Sequence, residues 1–159
     1  MRRERAMALF EEGYNCAQSV FLAFSDLHGM DTHTAAALSS SFGGGMGRLR
    51  EVCGAVSGMF LVAGILYGYD DRRPGGKAAH YARIQELAKA FEEKNGSIVC
   101  RELLGLSVKR EEPTPKERTA EYYKKRPCKE LVGDAAEILE KYIAEHPVDE
   151  RLEKRGTVR

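Results

Sequence analysis

The sequence predicts an all-α protein, a compact irregular helical bundle of about six to seven helices. Apolar residues recur at helical spacing in successive segments of the chain. Capping residues, glycines and prolines stand between these segments, where one helix ends and the next begins. No two runs of alternating apolar and polar residues flank a hairpin turn, so the pattern does not predict a sheet.

The first half of the chain predicts four helices. The first covers about residues 2–12 and the second about residues 16–27. Caps before residues 35–42 predict a third helix, which ends at the glycine cluster of residues 43–47. The fourth helix lies in the most apolar stretch, residues 52–69. This stretch is short for a membrane span and rich in glycine, so we expect a buried helix and no membrane insertion.

The second half of the chain predicts two long helices with shorter pieces between them. Residues 77–94 repeat an amphipathic pattern, and residues 98–104 predict a short helix. The polar, proline-containing stretch of residues 107–126 predicts at most one helical piece, around residues 116–124. The last helix is expected over about residues 128–145.

Length and charge limit the class of protein. A chain of 159 residues predicts one domain, which we assign to residues 1–147, followed by a charged tail over residues 148–159 that is expected to fray. The 25 basic and 24 acidic residues nearly cancel, which gives no reason to expect nucleic-acid binding. The N-terminus lacks the apolar run of a signal peptide, so we expect a cytoplasmic protein. Small-residue helix faces leave a homodimer open.

Four cysteines stand far apart, each where a helix is predicted to begin: Cys16, Cys53, Cys100 and Cys128, with the spacing C-x36-C-x46-C-x27-C. The positive end of a helix dipole stabilises a thiolate, which is the form that binds metals and attacks disulfides. No pair forms C-x-x-C, which argues against a zinc ribbon or a thioredoxin-type site. Four converging thiolates suit an iron–sulfur cluster or tetrahedral zinc, two in contact suit a redox disulfide, and free cysteine is also a common core residue.

Glycines and cations accompany the cysteines. Gly54 and Gly58 stand four residues apart on one helix face, where small residues let another backbone or a cluster come close. The glycine cluster of residues 43–47 lacks the preceding strand and the lysine of nucleotide-binding loops, so we interpret it as a sharp turn that presents Cys53. Nearby cations would lower thiol pKa values or offset the charge of a cluster. They are Arg48, Arg50, Arg101, Arg126 and Lys129.

These motifs together resemble the redox-active protein family named for the pattern C_GCAxxG_C_C. The resemblance covers roughly residues 13–140 and rests on residues 13–18, 42–48, 53–58 and 96–105 and on Cys128. It implies a redox activity. A similar cysteine-rich domain accompanies some multihaem cytochromes as an iron–sulfur module, so the resemblance makes a cluster reasonable here.

The leading hypothesis is a small cytoplasmic electron-transfer or thiol-redox protein. Cys16, Cys53, Cys100 and Cys128 would ligate an iron–sulfur cluster, with Gly54, Gly58 and Arg101 as cofactor-binding candidates. One alternative is a cofactor-free oxidoreductase, in which two of these cysteines are catalytic and cycle between dithiol and disulfide. Another is a zinc-binding, non-catalytic module. The sequence leaves open whether the chain is an enzyme, and it does not name the redox partner protein.

Overall fold

The computed structural model describes residues 1–72, 74–108 and 110–148, and all of the predicted tail except Val148 lies outside these ranges. Within them the regular structure is helical, and strand-like pairing is limited to one isolated antiparallel bridge between Val52 and Val99. The all-α prediction is confirmed. The helical segments are α1 (Arg2–Glu11), α2 (Cys16–Leu22), α3 (Ser25–His28), α4 (Thr32–Ser39), a 3-10 turn (Ser40–Phe42), α5 (Gly43–Met46), α6 (Gly54–Tyr67), α7 (Pro74–Asn95), α8 (Cys100–Leu103), α9 (Ala120–Lys125) and α10 (Cys128–Glu145).

The predicted second helix is divided in two. Phe24, between α2 and α3, leaves helical geometry with φ −112° and ψ 19°. The Ser25 hydroxyl donates to the Leu22 carbonyl oxygen, 2.7 Å away, which supplies a local alternative to the helical backbone bond. Short pieces such as α3 and α5, with four residues each, raise the number of segments above the six to seven expected.

Helix α6 occupies the centre of the fold. Nine of its 14 residues are buried, and Met59 and Val62 have no exposed surface. Burying such a side chain stabilises the fold by about 1.5–3 kcal/mol relative to leaving it exposed. Helix α2 packs closely on α6, because a Cβ atom at Gly58 would lie 2.6 Å from the Ala17 carbonyl oxygen. No helix within the described ranges is both long enough and apolar enough to span a membrane.

A buried carboxylate joins three helices. Asp134 of α10 is 6% exposed, and its Oδ1 atom lies 2.5 Å from Arg3 Nη1 of α1 and 2.9 Å from Lys94 Nζ of α7. Burial alone would raise the pKa of Asp134, but hydrogen bonds from Arg3 and Lys94 outweigh it and hold that pKa below its ordinary value. Asp134 therefore stays ionised and clamps α1 and α7 against α10.

We expect Asp134→Asn to lower the free energy of unfolding at pH 7 by about 1–3 kcal/mol, because two cations lose their buried partner. A group whose pKa is depressed by folding contributes stability above its unfolded pKa and loses it as the pH falls through the folded pKa. Wild type and variant should therefore converge in acid, as measured by urea unfolding across pH. Glu137→Gln, which changes a half-exposed carboxylate on the same two cations, should have a smaller effect. Equal losses for the two variants would contradict the assignment.

Candidate functional site

Each cysteine lies at the start of a helix, as the sequence predicts. Cys16, Cys100 and Cys128 are the first residues of α2, α8 and α10, and Cys53 caps α6. Asn15 accepts from the Gln18 N–H and completes a capping box with that residue, which fixes the start of α2. Four distant parts of the chain thus place sulfur at the amino-terminal ends of helices, where the helix dipole favours a thiolate.

The four side chains line one cavity of about 260 Å³. Cys53 and Cys100 are 5% and 7% exposed, whereas Cys16 and Cys128 are only partly buried. None of the four forms a disulfide. In the part of the chain that the structure describes, no three His, Cys, Asp or Glu side chains come together closely enough to hold a single metal ion. All four cysteines therefore border the same space.

A pairing of two extended segments brings Cys53 and Cys100 together. The Cys53 N–H donates to the Ile98 carbonyl oxygen over 2.8 Å, and the Cys100 N–H donates to the Glu51 carbonyl oxygen over 2.6 Å. These bonds flank the bridge between Val52 and Val99, so residues 51–53 run beside residues 98–100. No local sequence signal predicted this pairing, because the two segments are far apart in the chain.

A left-handed turn lines part of the cavity. Every residue from 44 to 48 has a positive φ, including Gly44 (68°) and Gly45 (66°), so α5 is a glycine turn rather than a right-handed helix. A Cβ atom at Gly45 would lie 2.6 Å from Cys100 Cβ, so only glycine fits this close approach. The turn also directs the Gly44 N–H to the Cys16 sulfur. The sequence suggested that this turn presents Cys53. The structure shows that the turn also contacts Cys16 and Cys100.

Cys16 is the most acidic thiol of the site. A hydrogen bond with the Cys128 side chain outweighs burial and, with the Gly44 N–H and the charge of Arg118, lowers the pKa of Cys16 to about 7. The same hydrogen bond raises the pKa of Cys128, which donates it. Burial raises the pKa of Cys53, and the nearby Cys16 sulfur raises it further. The shared cavity therefore contains one thiolate-forming cysteine next to a protonated neighbour.

Arginine side chains give the cavity a positive wall. Arg50 Nη1 lies 3.5 Å from Cys100 Sγ, and this contact opposes burial, which raises the pKa of Cys100. Arg118 donates to the Phe10 and Tyr14 carbonyl oxygens and stacks over the Phe10 ring. Sequence reasoning missed Arg118, because it lies in a polar, proline-containing segment where a cation carries no distinctive signal.

Two of the three cofactor-binding candidates lie away from the cavity. Gly58 packs against Ala17 on the opposing helix, which is a structural role. The Arg101 guanidinium donates to the Arg50 carbonyl oxygen and to the Glu51 carboxylate, each at 3.2 Å, and Arg101 is not among the residues that line the cavity. Gly54 does line the cavity, where a Cβ atom would lie 3.0 Å from Cys16 Cβ. Of these three residues, only Gly54 lines the cavity.

An all-α domain that gathers four free cysteines from separate helix starts into one cationic cavity has the organisation of a cysteine-based redox protein. A family model agrees. The family described as "Putative redox-active protein (C_GCAxxG_C_C)" matches residues 14–142, and the chain belongs to this family. Searches among curated proteins and among solved structures find no match.

We expect Gly45→Ala to destabilise the protein by about 2–4 kcal/mol, because an alanine would combine left-handed strain with overlap against Cys100. Gly105→Ala is a matched control, since Gly105 has φ 64° but no neighbouring atom within 4 Å of an added Cβ. The control should lose only about 1–2 kcal/mol, the strain contribution. Urea unfolding measures both variants, and equal losses would show that contact with Cys100 is unimportant.

We expect iodoacetamide to label Cys16 first in reduced, metal-free protein, with a rate that rises around pH 7, where its thiolate forms. Below that pH the sulfur is protonated and labelling slows. Cys128→Ala removes the hydrogen-bond donor and should shift the midpoint upward, towards the ordinary cysteine value of about 8.5. Mass spectrometry of the labelled peptides gives the rates. If the pH midpoint of Cys16 labelling does not change in Cys128→Ala, the hydrogen bond between Cys16 and Cys128 is contradicted.

Proposed function

We propose that this chain is a small electron-transfer protein in which Cys16, Cys53, Cys100 and Cys128 ligate one iron–sulfur cluster. The observation that carries the proposal is that four thiols from distant parts of the chain line one cavity of about 260 Å³. Tetrahedral zinc needs four ligands about 2.0–2.3 Å from one point. A cluster distributes its ligands over several metal atoms, so it needs thiolates around a volume. The size of the cavity therefore suits a cluster, which occupies more volume than one zinc ion.

The charge of the cavity suits an anionic group. Four thiolates around a cluster add negative charge, which nearby cations and N–H donors stabilise. Among the described residues that line the cavity there are five cations and no carboxylate. The cations are Arg48, Arg50, Lys116, Arg118 and Arg126.

Backbone donors add to this stabilisation. The Gly44 N–H faces Cys16, and the N–H groups of Ala55 and Val56 face Cys53. Hydrogen bonds to ligand sulfur stabilise added negative charge and raise a reduction potential. When bound, the cluster would supply a centre that accepts and returns an electron, and the partly exposed side of Cys16 and Cys128 would face the redox partner protein. We place this function in the cytoplasm, where thiols stay reduced and free for cluster assembly.

We expect protein purified without oxygen to contain iron and acid-labile sulfide and to absorb visible light. Cys53→Ser and Cys100→Ser should each lose most of the iron, because each removes a ligand that lies deep in the cavity. Ser25→Ala, a small change at α3 outside the cavity lining, should retain it. Wild-type protein that carries no iron, shows no visible band and gains neither on reconstitution would overturn the proposal.

A dithiol oxidoreductase is the second candidate, and the contact between Cys16 and Cys128 favours it. The Cys16 thiolate would attack a substrate disulfide, forming a mixed disulfide and releasing one substrate thiolate. The Cys128 sulfur would lose its proton and attack Cys16, which releases the second substrate thiol. Two electrons pass from the protein to the substrate, and a reducing partner protein restores the dithiol.

Cys100→Ser separates the two candidates. A cluster needs all four ligands, so this variant should lose iron under the first proposal. Dithiol exchange uses only Cys16 and Cys128, so under the second candidate the variant should still lose two titratable thiols on oxidation and regain them with reductant.

A further inference from the structure

Arg50 combines two features that are unusual for an arginine. It is 4% exposed, so its guanidinium lies inside the protein. Its φ of 59° is in the left-handed region, which favours glycine. A buried charge and an unfavourable backbone conformation at one residue, beside the cysteine cavity, point to a role in the site.

The Arg50 guanidinium is held from two sides. Its Nη1 atom lies 3.5 Å from Cys100 Sγ, and its Nε atom lies 2.9 Å from Glu111 Oε1. The planar fork of an arginine can make both contacts at once, whereas a lysine ammonium would have to choose. Arg50 and Arg48 keep the pKa of Glu111 below its ordinary value despite its burial, so the carboxylate stays ionised. Glu111 therefore holds the Nε atom of Arg50, and the Nη1 atom remains in contact with the Cys100 sulfur.

We propose that Arg50 is a positioning residue, which fixes the Cys100 side chain and holds a positive charge against the sulfur-lined cavity. An electron that enters a centre bound to these sulfurs makes it more negative. A cation in contact, in a buried and weakly screened place, stabilises that reduced state and raises its midpoint potential. This consequence rests on the proposed function, whereas the fixing of Cys100 does not.

Arg48 provides a matched comparison within the same turn. It also has a left-handed backbone (φ 65°), lines the cavity and binds Glu111, with Nη2 2.7 Å from Oε2. Its Nε atom donates to the Glu112 carbonyl oxygen rather than to a cysteine. Removal of either arginine changes the net charge equally, so a difference between the two variants reports the sulfur contact and not the overall charge.

The test compares Arg50→Met with Arg48→Met, which remove the charge while keeping a long side chain and the same backbone demand. In iron-loaded protein, anaerobic titration with dithionite should give a more negative midpoint potential for Arg50→Met and a smaller shift for Arg48→Met. In reduced, metal-free protein near neutral pH, iodoacetamide should label Cys100 about tenfold more slowly in Arg50→Met, because its thiolate loses a cation in contact. Arg48→Met should label at nearly the wild-type rate.

The outcomes separate this inference from the proposed function. If the wild type binds no iron, the proposed function fails, while the labelling of Cys100 still tests the contact. Equal shifts or equal labelling rates for the two variants would overturn the role of Arg50, whether or not iron binds. If Arg50→Met fails to fold, Arg50→Gly removes the same charge at a backbone conformation that suits glycine, and Arg48→Gly is then its control.

Discussion

The close approach of the left-handed glycine turn to two cysteine-bearing segments is the constraint on which the site depends. A Cβ atom at Gly43 would lie 2.4 Å from the Asn15 side chain, and one at Gly45 would lie 2.6 Å from Cys100. Asn15 in turn caps the helix that begins with Cys16 and donates to the Ser40 carbonyl oxygen. The turn thus locks the start of α2 against the start of α8. A larger residue at Gly43 or Gly45 would push the turn away from α2 or α8, which would separate the sulfurs and open the cavity.

The same environment gives the four thiols different chemistry. Cys16 receives hydrogen bonds and lies near Arg118, so its pKa falls, whereas burial raises the pKa values of Cys53 and Cys100. A bound group that draws its charge from all four sulfurs would gain from the cations and N–H donors around the whole cavity. A dithiol mechanism would use only Cys16 and Cys128. Because the thiols differ in this way, the cavity is compatible with both a cluster and dithiol exchange. Only the cluster requires the buried Cys53 and Cys100, so substitution of these two residues distinguishes the two functions.

Local sequence signals were sufficient to predict the long helices and the positions of the cysteines at helix starts, but not the break at Phe24. Asn15 before Cys16 is a helix cap, and Pro127 stands directly before the last helix, so both starts are readable within a few residues. The non-local contacts were not readable. The bridge between Val52 and Val99 depends on how distant segments pack, and Arg118 reaches the cavity only because its segment folds across it. The sequence placed Arg48, Arg50 and Arg126 near the cysteines, whereas Lys116 and Arg118 were found at the cavity only from the structure.

X-ray absorption at the iron edge of protein purified without oxygen tests the central claim most directly, because it reports the atoms around the metal. If the four cysteines hold an iron–sulfur cluster, the first shell is sulfur alone and a second shell of iron is present. An iron environment dominated by oxygen or nitrogen, or one with no iron neighbour, would contradict the account.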